Sequence, residues 1–330
     1  MDRAGNTSTV TGRYSKQAVE RSRSRSGITR DGGSSGISRH RRCVVRRQRP
    51  RPDRTAPARP PHGRTLEFPG GKLGVGEDRL EGLKRELAEE LGVTVHTARP
   101  LIRLYHNYPD RRVLLDFWRV TEYAGTPIGL DSQALAWVTS DELPGHNLLE
   151  ADRAIVTALR LPQLARVISG PAQLVALGGS EAQTIFWHVT ESPATQLDAA
   201  VVRSARAAGH RVFALGDGVE AIRIAAAAGA DGAVLRRRGQ NLHVDREGAF
   251  LVGVVCEDEA GALEAISEGA HFLVAAPRRG PMPHRELEHL CAAAGIPVFA
   301  GWYPDARRLE QLQTAGAHGC AMVTTKKAEA

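Results

Sequence analysis

The C-terminal half of the chain carries the pattern that most narrowly limits its fold. After Leu161, eight short apolar runs alternate with Ala-rich segments of helical periodicity, several of which end in glycine. Continuous apolar runs are typical of strands buried in a parallel sheet, and the intervening helices supply the crossover connections that parallel strands need. Eight repeats predict a (β/α)8 barrel of the TIM type over residues 163–330. The runs are ARVISG, TIFWHV, RVFALGD, GAVLRR, FLVGVV, HFLVAAP, IPVFAGW and GCAMVTT.

The first 63 residues have the opposite composition, with no Leu, Phe or Trp. Residues 1–64 hold 17 Lys and Arg against 4 Asp and Glu, whereas the rest of the chain holds 27 against 33. So few apolar residues cannot bury a core, and we expect residues 1–63 to be a basic, disordered arm, a nucleic-acid-binding arm or a segment without selected structure. The mildly acidic remainder predicts no specific nucleic-acid binding by the folded part.

Cysteine placement and hydropathy exclude several classes of protein. The four cysteines include no CxxC pair, which argues against a zinc knuckle and a disulfide framework. No run approaches the roughly 18 apolar residues of a membrane span, and the N-terminus lacks the apolar core of a secretory signal. We therefore predict a cytoplasmic protein without a membrane partner, and 330 residues predict two folded domains.

Residues 65–93 predict a short strand, a Gly-rich turn and an amphipathic helix that ends at Gly92. Leucines recur along one face of that helix, at positions 80, 83, 87 and 91. Glu86, Glu89 and Glu90 share a second face, with side chains close enough to converge on one ion. A cation relieves the repulsion among such carboxylates, and Mg²⁺ or Mn²⁺ suits their oxygen ligands. For the glutamates alone, a solvated acidic face is the alternative.

The spacing of the residues around these glutamates resembles the Nudix box. From Gly71 it runs through Glu77, then Arg85-Glu86-Leu87, Glu89-Glu90 and Gly92-Val93. Residues 64–162 are thereby similar to Nudix hydrolases, whose fold is an α/β/α sandwich with a mixed sheet. The string EFPGGK and the downstream segments resemble the MutT type, which hydrolyses 8-oxo-dGTP to 8-oxo-dGMP and pyrophosphate.

The resemblance implies roles for individual residues. Glu86, Glu89, Glu90, the Gly70 carbonyl and Asp131 would hold Mg²⁺ or Mn²⁺, with Asp131 as a further ligand or the base. Arg85 would hold a carboxylate by a bidentate contact. The implied substrate contacts are Glu67, Phe68, Pro69, Gly70, Lys72, Arg111 and Asn147.

Several of these residues also have a purely structural interpretation. Arg111 fits a solvated turn, Asn147 fits a helix cap, and Phe68 fits ordinary core packing. Glu77 fits a helix N-terminus, where the dipole favours a negative charge.

One departure from the Nudix family bears on function. Nothing in residues 1–63 resembles the strands that precede the box in Nudix proteins, so those strands are expected to be missing. The abrupt change at Thr65 is what upstream translation in another frame would give, and reading the coding DNA tests this. The alternatives to 8-oxo-dGTP hydrolysis are therefore another nucleotide substrate, or a non-catalytic protein whose barrel binds a small ligand.

The barrel segment resembles thiamin phosphate synthases through AAAAGADGAVL and GVVCEDEAGALEAISEGAHFLVAAP. Asp217 and Glu220 stand where that family binds a metal. Other family residues are replaced by TIFWHVTE, Val234 and the pair Gly301-Trp302. We expect a barrel that has lost the synthase reaction, with packing or an unidentified small ligand as its role. His188 and His284 are interpreted as structural.

Overall fold

The structure is a computed structural model that describes residues 10–19, 42–47, 66–107, 112–177, 182–190, 196–237 and 249–323. The chain divides into two compact units. Unit 1 comprises Met1–Pro100 and Pro109–Arg153, and unit 2 comprises Leu101–Tyr108 and Ala154–Ala330. The segment 154–162, which the sequence analysis assigned to the first domain, thus groups with the barrel.

The described part of unit 1 contains two β-sheets and one long helix, α1, at Arg79–Leu91. The first sheet has the order β4-β1-β6-β5 and the second has the order β3-β2-β7. Two 3-10 turns follow, at Leu143–Gly145 and Glu150–Asp152. The strands are β1 Val10–Val19, β2 Arg42–Arg47, β3 Leu66–Glu67, β4 Gly70–Lys72, β5 Thr94–Asn107, β6 Arg112–Ala124 and β7 Leu135–Thr139. The part of β5 from Leu101 onward groups with unit 2.

Strands β1 and β2 correct the expectation that residues 1–63 supply no strand. β1 pairs in parallel with β6 and antiparallel with β4, so that Ser15 lies opposite Gly71. β2 pairs antiparallel with β3 and β7. Backbone hydrogen bonds to strands on both sides can hold a strand that is poor in apolar residues. Amino-acid composition does not predict such backbone pairing. The remaining residues of that segment lie outside the described part of the chain.

Helix α1 confirms the predicted leucine stripe and its termination. Leu83, Leu87 and Leu91 have no exposed side-chain surface. The Asp78 carboxylate caps the N-terminus by accepting from the backbone N–H groups of Leu80 and Glu81. Gly92 closes the C-terminus at φ 67°, a left-handed conformation that glycine adopts without strain. The two caps set the ends of α1, and the buried leucines determine which face of the helix packs against the core.

The described part of unit 2 forms a closed barrel of eight parallel strands in chain order, which confirms the predicted TIM-type architecture. The strands are β8 Leu164–Ile168, β9 Thr184–His188, β10 Arg211–Asp217, β11 Gly232–Arg237, β12 Leu251–Cys256, β13 Phe272–Ala275, β14 Val298–Tyr303 and β15 Gly319–Val323. The helices of this unit are α2 Arg153–Arg160, α3 Pro171–Val175, α4 Ala199–Ala207, α5 Gly218–Ala228, α6 Glu259–Ser267, α7 His284–Ala294 and α8 Leu309–Thr314. Each predicted apolar run overlaps one of these strands, and the strand extends one residue beyond the run at β8, β12 and β14.

Four phenylalanine rings fill the barrel interior. Phe186 packs edge-on against Phe213 and Phe299, and stacks on Phe272 with ring centroids 6.3 Å apart. All four side chains are fully buried. Gly253 faces the Phe272 ring so closely that a Cβ there would lie 2.4 Å from it. The interior is therefore a packed core without room for a channel.

Residues just before three barrel strands lock neighbouring strands together. The Nδ1 atom of His210 accepts from the Gln183 N–H at 3.1 Å, and that of His271 accepts from the Val252 N–H at 3.0 Å. Asp231 accepts from the Val212 N–H at 2.8 Å.

In the part of the chain that the structure describes, no helix is long and apolar enough to cross a membrane.

Candidate functional site

The two glycines of β4 allow the carboxylates of α1 to approach the strand backbone. The Gly70 N–H donates to Oε2 of Glu90 at 2.9 Å, and the φ of Gly70 is 142°. A Cβ on Gly71 would lie 2.2 Å from Oε2 of Glu86. Glu86 and Glu90 are each only 9% exposed. Any larger residue at position 71 would therefore displace a buried carboxylate.

Arg85 contacts most of the acidic groups at this site. Its Nε and Nη2 donate to the two carboxylate oxygens of Glu77 at 2.7 and 3.0 Å. Its Nη1 donates to Glu86 at 2.9 Å and to the exposed Glu89 at 3.3 Å. The bidentate contact predicted for Arg85 thus forms with Glu77. Nη2 also donates to the Lys72 carbonyl at 3.1 Å, which joins the helix to β4.

Glu77 is held as a carboxylate by these contacts. The Arg85 guanidinium and, next, the Gly74 N–H lower the pKa of Glu77 to about 2. The same contacts with Glu77 and Glu86 raise the pKa of Arg85. Glu77 lies one residue before the Asp78 cap of α1. Its two hydrogen bonds with Arg85 hold that guanidinium beside the glutamates.

The carboxylates do not converge as their spacing predicted. Within the described ranges, no group of three or more His, Cys, Asp or Glu side chains is arranged to hold a metal ion. Arg85 engages Glu86 and Glu89, whereas Glu90 accepts from the Gly70 N–H, so the carboxylates are directed to different donors. The donor set nevertheless fits a hard divalent cation, because two buried carboxylates lie beside the backbone of the glycine strand and such cations prefer oxygen ligands.

The loop before β7 contacts the C-terminal end of α1 through a residue that sequence reasoning missed. Nε2 of Gln133 donates to the Glu90 carbonyl at 3.2 Å, and the Leu130 N–H donates to the same oxygen at 3.0 Å. Gln133 is 9% exposed, whereas Asp131 is exposed and its carboxylate has no partner among the described residues. The loop therefore lies beside Glu90, and in the described part of the chain no hydrogen bond or ion pair joins Asp131 to the glutamates.

A second missed pair ties the start of α1 to β6. The Arg79 guanidinium forms a bidentate contact with the Asp116 carboxylate, and Arg79 also lies over the Trp118 ring at 5.3 Å from its centroid. The Asp116 side chain is 5% exposed. Its position in the apolar run VLLDFW is the one sequence signal, since a buried acid inside a strand needs a partner.

The predicted substrate residues occupy different environments. Phe68 is fully buried and packs edge-on against Phe117, with centroids 5.0 Å apart. Asn147 is exposed, and its carbonyl accepts from the Leu66 N–H at 2.7 Å, which places it beside β3. The cap of the next 3-10 turn is Leu149, so Asn147 does not serve as that helix cap.

The remaining substrate candidates lie along the same segment. Lys72 is exposed, Glu67 is half-buried and Pro69 is buried. Arg111 lies outside the described residues.

After barrel strand β10, the two acidic residues that the resemblance assigns to metal binding each form an ion pair with an arginine. Asp217 pairs with Arg236 at 3.3 Å, and Glu220 pairs with Arg223 at 2.6 Å. Nε2 of His188 is buried without a hydrogen-bond partner among the described residues. Burial and, next, the nearby Arg236 lower the pKa of His188. These contacts do not form a metal site in the described part of the barrel.

Comparison with known proteins assigns the first unit to a family. A family model described as a NUDIX domain matches residues 57–158. The 8-oxo-dGTP diphosphatase of Escherichia coli (strain K12) is 34% identical over 95 residues, which are 29% of this chain and 74% of that protein. The CTP pyrophosphohydrolase of the same organism is 30% identical over 110 residues, covering 33% of this chain and 82% of that protein.

A solved structure resembles part of the chain. The thiamine phosphate pyrophosphorylase from Pyrococcus furiosus is 18% identical and has a TM-score of 0.43, covering 50% of this chain and 86% of that chain. The barrel architecture of unit 2 is shown by the pairing of its own eight strands, β8 to β15.

Proposed function

This chain belongs to the Nudix family of hydrolases, which act on phosphoric anhydrides, and we propose that it hydrolyses 8-oxo-dGTP to 8-oxo-dGMP and pyrophosphate. The observation that carries the proposal is the placement of Glu86 and Glu90 against Gly70 and Gly71. Burying two carboxylates on one helix is costly unless each has a partner. Here Arg85 and the Gly70 N–H are partners of Glu86 and Glu90, and a hard divalent cation, which prefers carboxylate oxygens, would be a further partner that both can share.

We propose that this ligand is Mg²⁺ or Mn²⁺, held by Glu86, Glu89, Glu90, the Gly70 carbonyl and Asp131. When bound, the cation would neutralise the triphosphate and lower the pKa of a bound water that attacks phosphorus. Glu89 is the most exposed of the three helix glutamates, with its side chain 60% accessible. Glu86 and Glu90 would stay fixed against β4.

Arg85 acts as a positioning residue in this proposal. Because two hydrogen bonds anchor Arg85 to Glu77, its guanidinium can hold the side chains of Glu86 and Glu89 in place. Charge-assisted bidentate contacts of this kind are strong and directional. Lys72, exposed at the end of β4, would meet a substrate phosphate.

Recognition of the base would rest on Asn147 and Arg111. The Asn147 amide can donate and accept, which suits the hydrogen-bonding edge of a purine. It lies beside β3, next to the segment of Glu67, Phe68 and Pro69, which would form the wall of the nucleotide pocket. Phe68 would contribute through its packing on Phe117. We propose the cytoplasm, which holds the nucleotide pool, as the location.

The similarity to a protein named CTP pyrophosphohydrolase supports a second candidate, a different nucleoside triphosphate. Pyrophosphate release from 8-oxo-dGTP, dGTP and CTP, each with Mg²⁺, separates the two candidates. We expect 8-oxo-dGTP to be preferred. Preference for CTP would favour the second candidate and reject the first.

The metal assignment is tested with Glu89→Gln and Glu90→Gln in the full chain. Loss of a ligand should lower pyrophosphate release by on the order of 10-fold to 100-fold or more. The matched control is Glu81→Gln on the same helix, because Glu81 pairs only with Lys84 on the exposed face. Calorimetric titration with Mn²⁺ provides a second readout. Unchanged turnover and Mn²⁺ uptake in both ligand variants would reject the assignment.

A further inference from the structure

The loop between β6 and β7 makes three hydrogen bonds to the last turn of α1. The Leu130 N–H and Nε2 of Gln133 both donate to the Glu90 carbonyl, at 3.0 and 3.2 Å. The Ile128 N–H donates to the Leu91 carbonyl at 3.1 Å. The last carbonyls of a helix have no donor within the helix. The loop therefore supplies donors to two such carbonyls, and one of them belongs to a candidate metal ligand.

The orientation of the Gln133 amide follows from its contact with Glu90. A carbonyl oxygen only accepts hydrogen bonds, so the amide directs Nε2 to Glu90 and Oε1 away from it. Gln133 is 9% exposed, and its Oε1 is buried without a hydrogen-bond partner among the described residues. A buried acceptor without a donor lowers stability. An apolar side chain of the same length would avoid that loss, but it could not contact the Glu90 carbonyl in this way.

A tight turn determines the position of Gln133. The Ser132 N–H donates to the Gly129 carbonyl at 3.0 Å, and the φ of Ser132 is 60°, which residues with a side chain adopt infrequently. A Cβ on Gly129 would lie 2.0 Å from the backbone oxygen of Gln133, so a larger residue would displace the backbone there. Such backbone conformations persist where the surrounding contacts hold them, and they are concentrated at functional sites.

Glu90 lies in the part of α1 that is held least firmly by the helix itself. It is the residue before Leu91, at which α1 ends, whereas Glu86 lies one turn earlier. Helix ends fray, because their last groups lack intrahelical partners. Oε2 of Glu90 accepts from the Gly70 N–H at 2.9 Å, so the position of the last turn affects whether this carboxylate stays beside β4. Donors at the Glu90 carbonyl oppose fraying at that turn.

We propose that Gln133 is a positioning residue, which holds the last turn of α1 so that the Glu90 carboxylate stays in place for the divalent cation. The inference rests on the proposed function, because the cation is part of that proposal. Gln133 acts through Glu90 and not on the nucleotide, since its Nε2 is engaged by the Glu90 carbonyl and its Oε1 is buried. Replacing a residue that orients a metal ligand typically lowers metal affinity or activity by about 10-fold to 100-fold.

Gln133→Met in the full chain tests the proposal, because methionine matches glutamine in length and lacks both Nε2 and the unused Oε1. Without metal, we expect the Gly70 N–H to exchange with deuterated solvent several-fold faster than in the unaltered chain, because Glu90 no longer stays beside it. Calorimetric titration should show Mn²⁺ affinity weakened by about 10-fold. The melting temperature should be unchanged or higher, because the buried acceptor is removed.

A kinetic readout separates positioning from loss of the ligand itself. We expect a higher Mn²⁺ concentration to restore pyrophosphate release in Gln133→Met but not in Glu90→Gln. The matched control is Ser132→Gly in the same turn, because glycine adopts a φ of 60° without strain and the Gln133 contact remains. This control should bind Mn²⁺ as tightly as the unaltered chain.

The outcomes distinguish this inference from the proposed function. If the unaltered chain binds Mn²⁺ and Gln133→Met binds it equally tightly, the inference is overturned while the proposed function stands. Absence of Mn²⁺ uptake by the unaltered chain would reject the proposed metal site and, with it, the inference. A lower melting temperature in Gln133→Met, with an activity loss that Mn²⁺ does not restore, would show that Gln133 only stabilises the fold. An equal loss of affinity in Ser132→Gly would also overturn the inference, because the effect would then belong to the loop as a whole.

Discussion

Arg79 and Asp116 join the first residue of α1 to β6 by two hydrogen bonds, one of them 2.6 Å long between Nη2 and Oδ1. The Asp116 side chain is almost completely buried, whereas Arg79 is 37% exposed. Because α1 carries Glu86, Glu89 and Glu90, the Arg79–Asp116 pair helps to position these candidate metal ligands relative to β6. Its removal therefore bears on stability and on the geometry of the site.

We expect Arg79→Leu to lower the free energy of unfolding by about 2 kcal/mol, because it leaves a buried carboxylate without its cation. Partial exposure of Arg79 keeps the cost below that of a fully buried pair. Urea unfolding measures the loss. Lys84→Leu is the control, since the exposed Lys84–Glu81 pair at 2.7 Å should contribute less than about 1 kcal/mol. Equal losses in the two variants would contradict a special role for the pair.

Gly71→Ala should remove activity without unfolding the protein. The added Cβ would overlap the Glu86 carboxylate, which lies at the end of a flexible side chain and can move away. We expect pyrophosphate release to fall by about 10-fold or more, with little change in the melting temperature. Gly74→Ala is the comparison, because a Cβ there would lie 3.4 Å from Glu77, an ordinary contact. Full activity of the Gly71 variant would show that the position of Glu86 does not matter.

Acid should destabilise the barrel through His210. Burial lowers the pKa of His210 from 6.5, and the neutral Nδ1 accepts from the Gln183 N–H. A lowered folded-state pKa means that the unfolded chain takes up the proton first as pH falls below 6.5. The contribution of His210 is therefore complete above that pH and declines as pH falls through the folded-state pKa.

The corresponding measurement is urea unfolding at a series of pH values, for the protein and for His210→Asn. An asparagine oxygen can accept the same N–H group but does not titrate. We expect the decline in stability below pH 6.5 to be shallower in the variant. Parallel pH profiles would exclude His210 as the cause.

The barrel interior should not accept an additional methyl group at position 253. Gly253→Ala would bring a Cβ to 2.4 Å from the Phe272 ring, which is enclosed by three other phenylalanines. Overpacking of this kind typically costs about 1–3 kcal/mol. Gly261→Ala in α6 is the contrast, because its Cβ would approach only the edge of the Asp258 carboxylate at 3.3 Å. Chemical unfolding of both variants compares them, and equal stability would show that the interior is loosely packed.

Local patterns in the sequence were sufficient for much of this fold. The eight apolar runs predicted the barrel strands, and the leucine spacing with Gly92 predicted the buried face and the end of α1. Such features follow from side-chain periodicity and from the φ values that glycine permits, which are properties of neighbouring residues. The spacing of Glu86, Glu89 and Glu90 also placed them on one helix face.

Contacts between distant residues could not be predicted in the same way. Composition gave no reason to expect β1 and β2, which are held by backbone pairing with strands far along the chain. Helical spacing alone also suggested that the glutamates converge, although Arg85 and the Gly70 N–H draw them apart. Asp131 was assigned a role by its place in the chain, whereas Gln133 makes the contact with Glu90.

The sequence by itself determined the elements of this protein, namely a barrel of repeating strands and helices and a glutamate-bearing helix after a Gly-rich turn. Tertiary structure alone decided the partners of those glutamates and the pairing of Asp116 with Arg79. The physical reason is that periodicity constrains residues within a few turns or strands of one another. Hydrogen bonds and cavities depend on atoms that only the folded chain brings within a few ångströms.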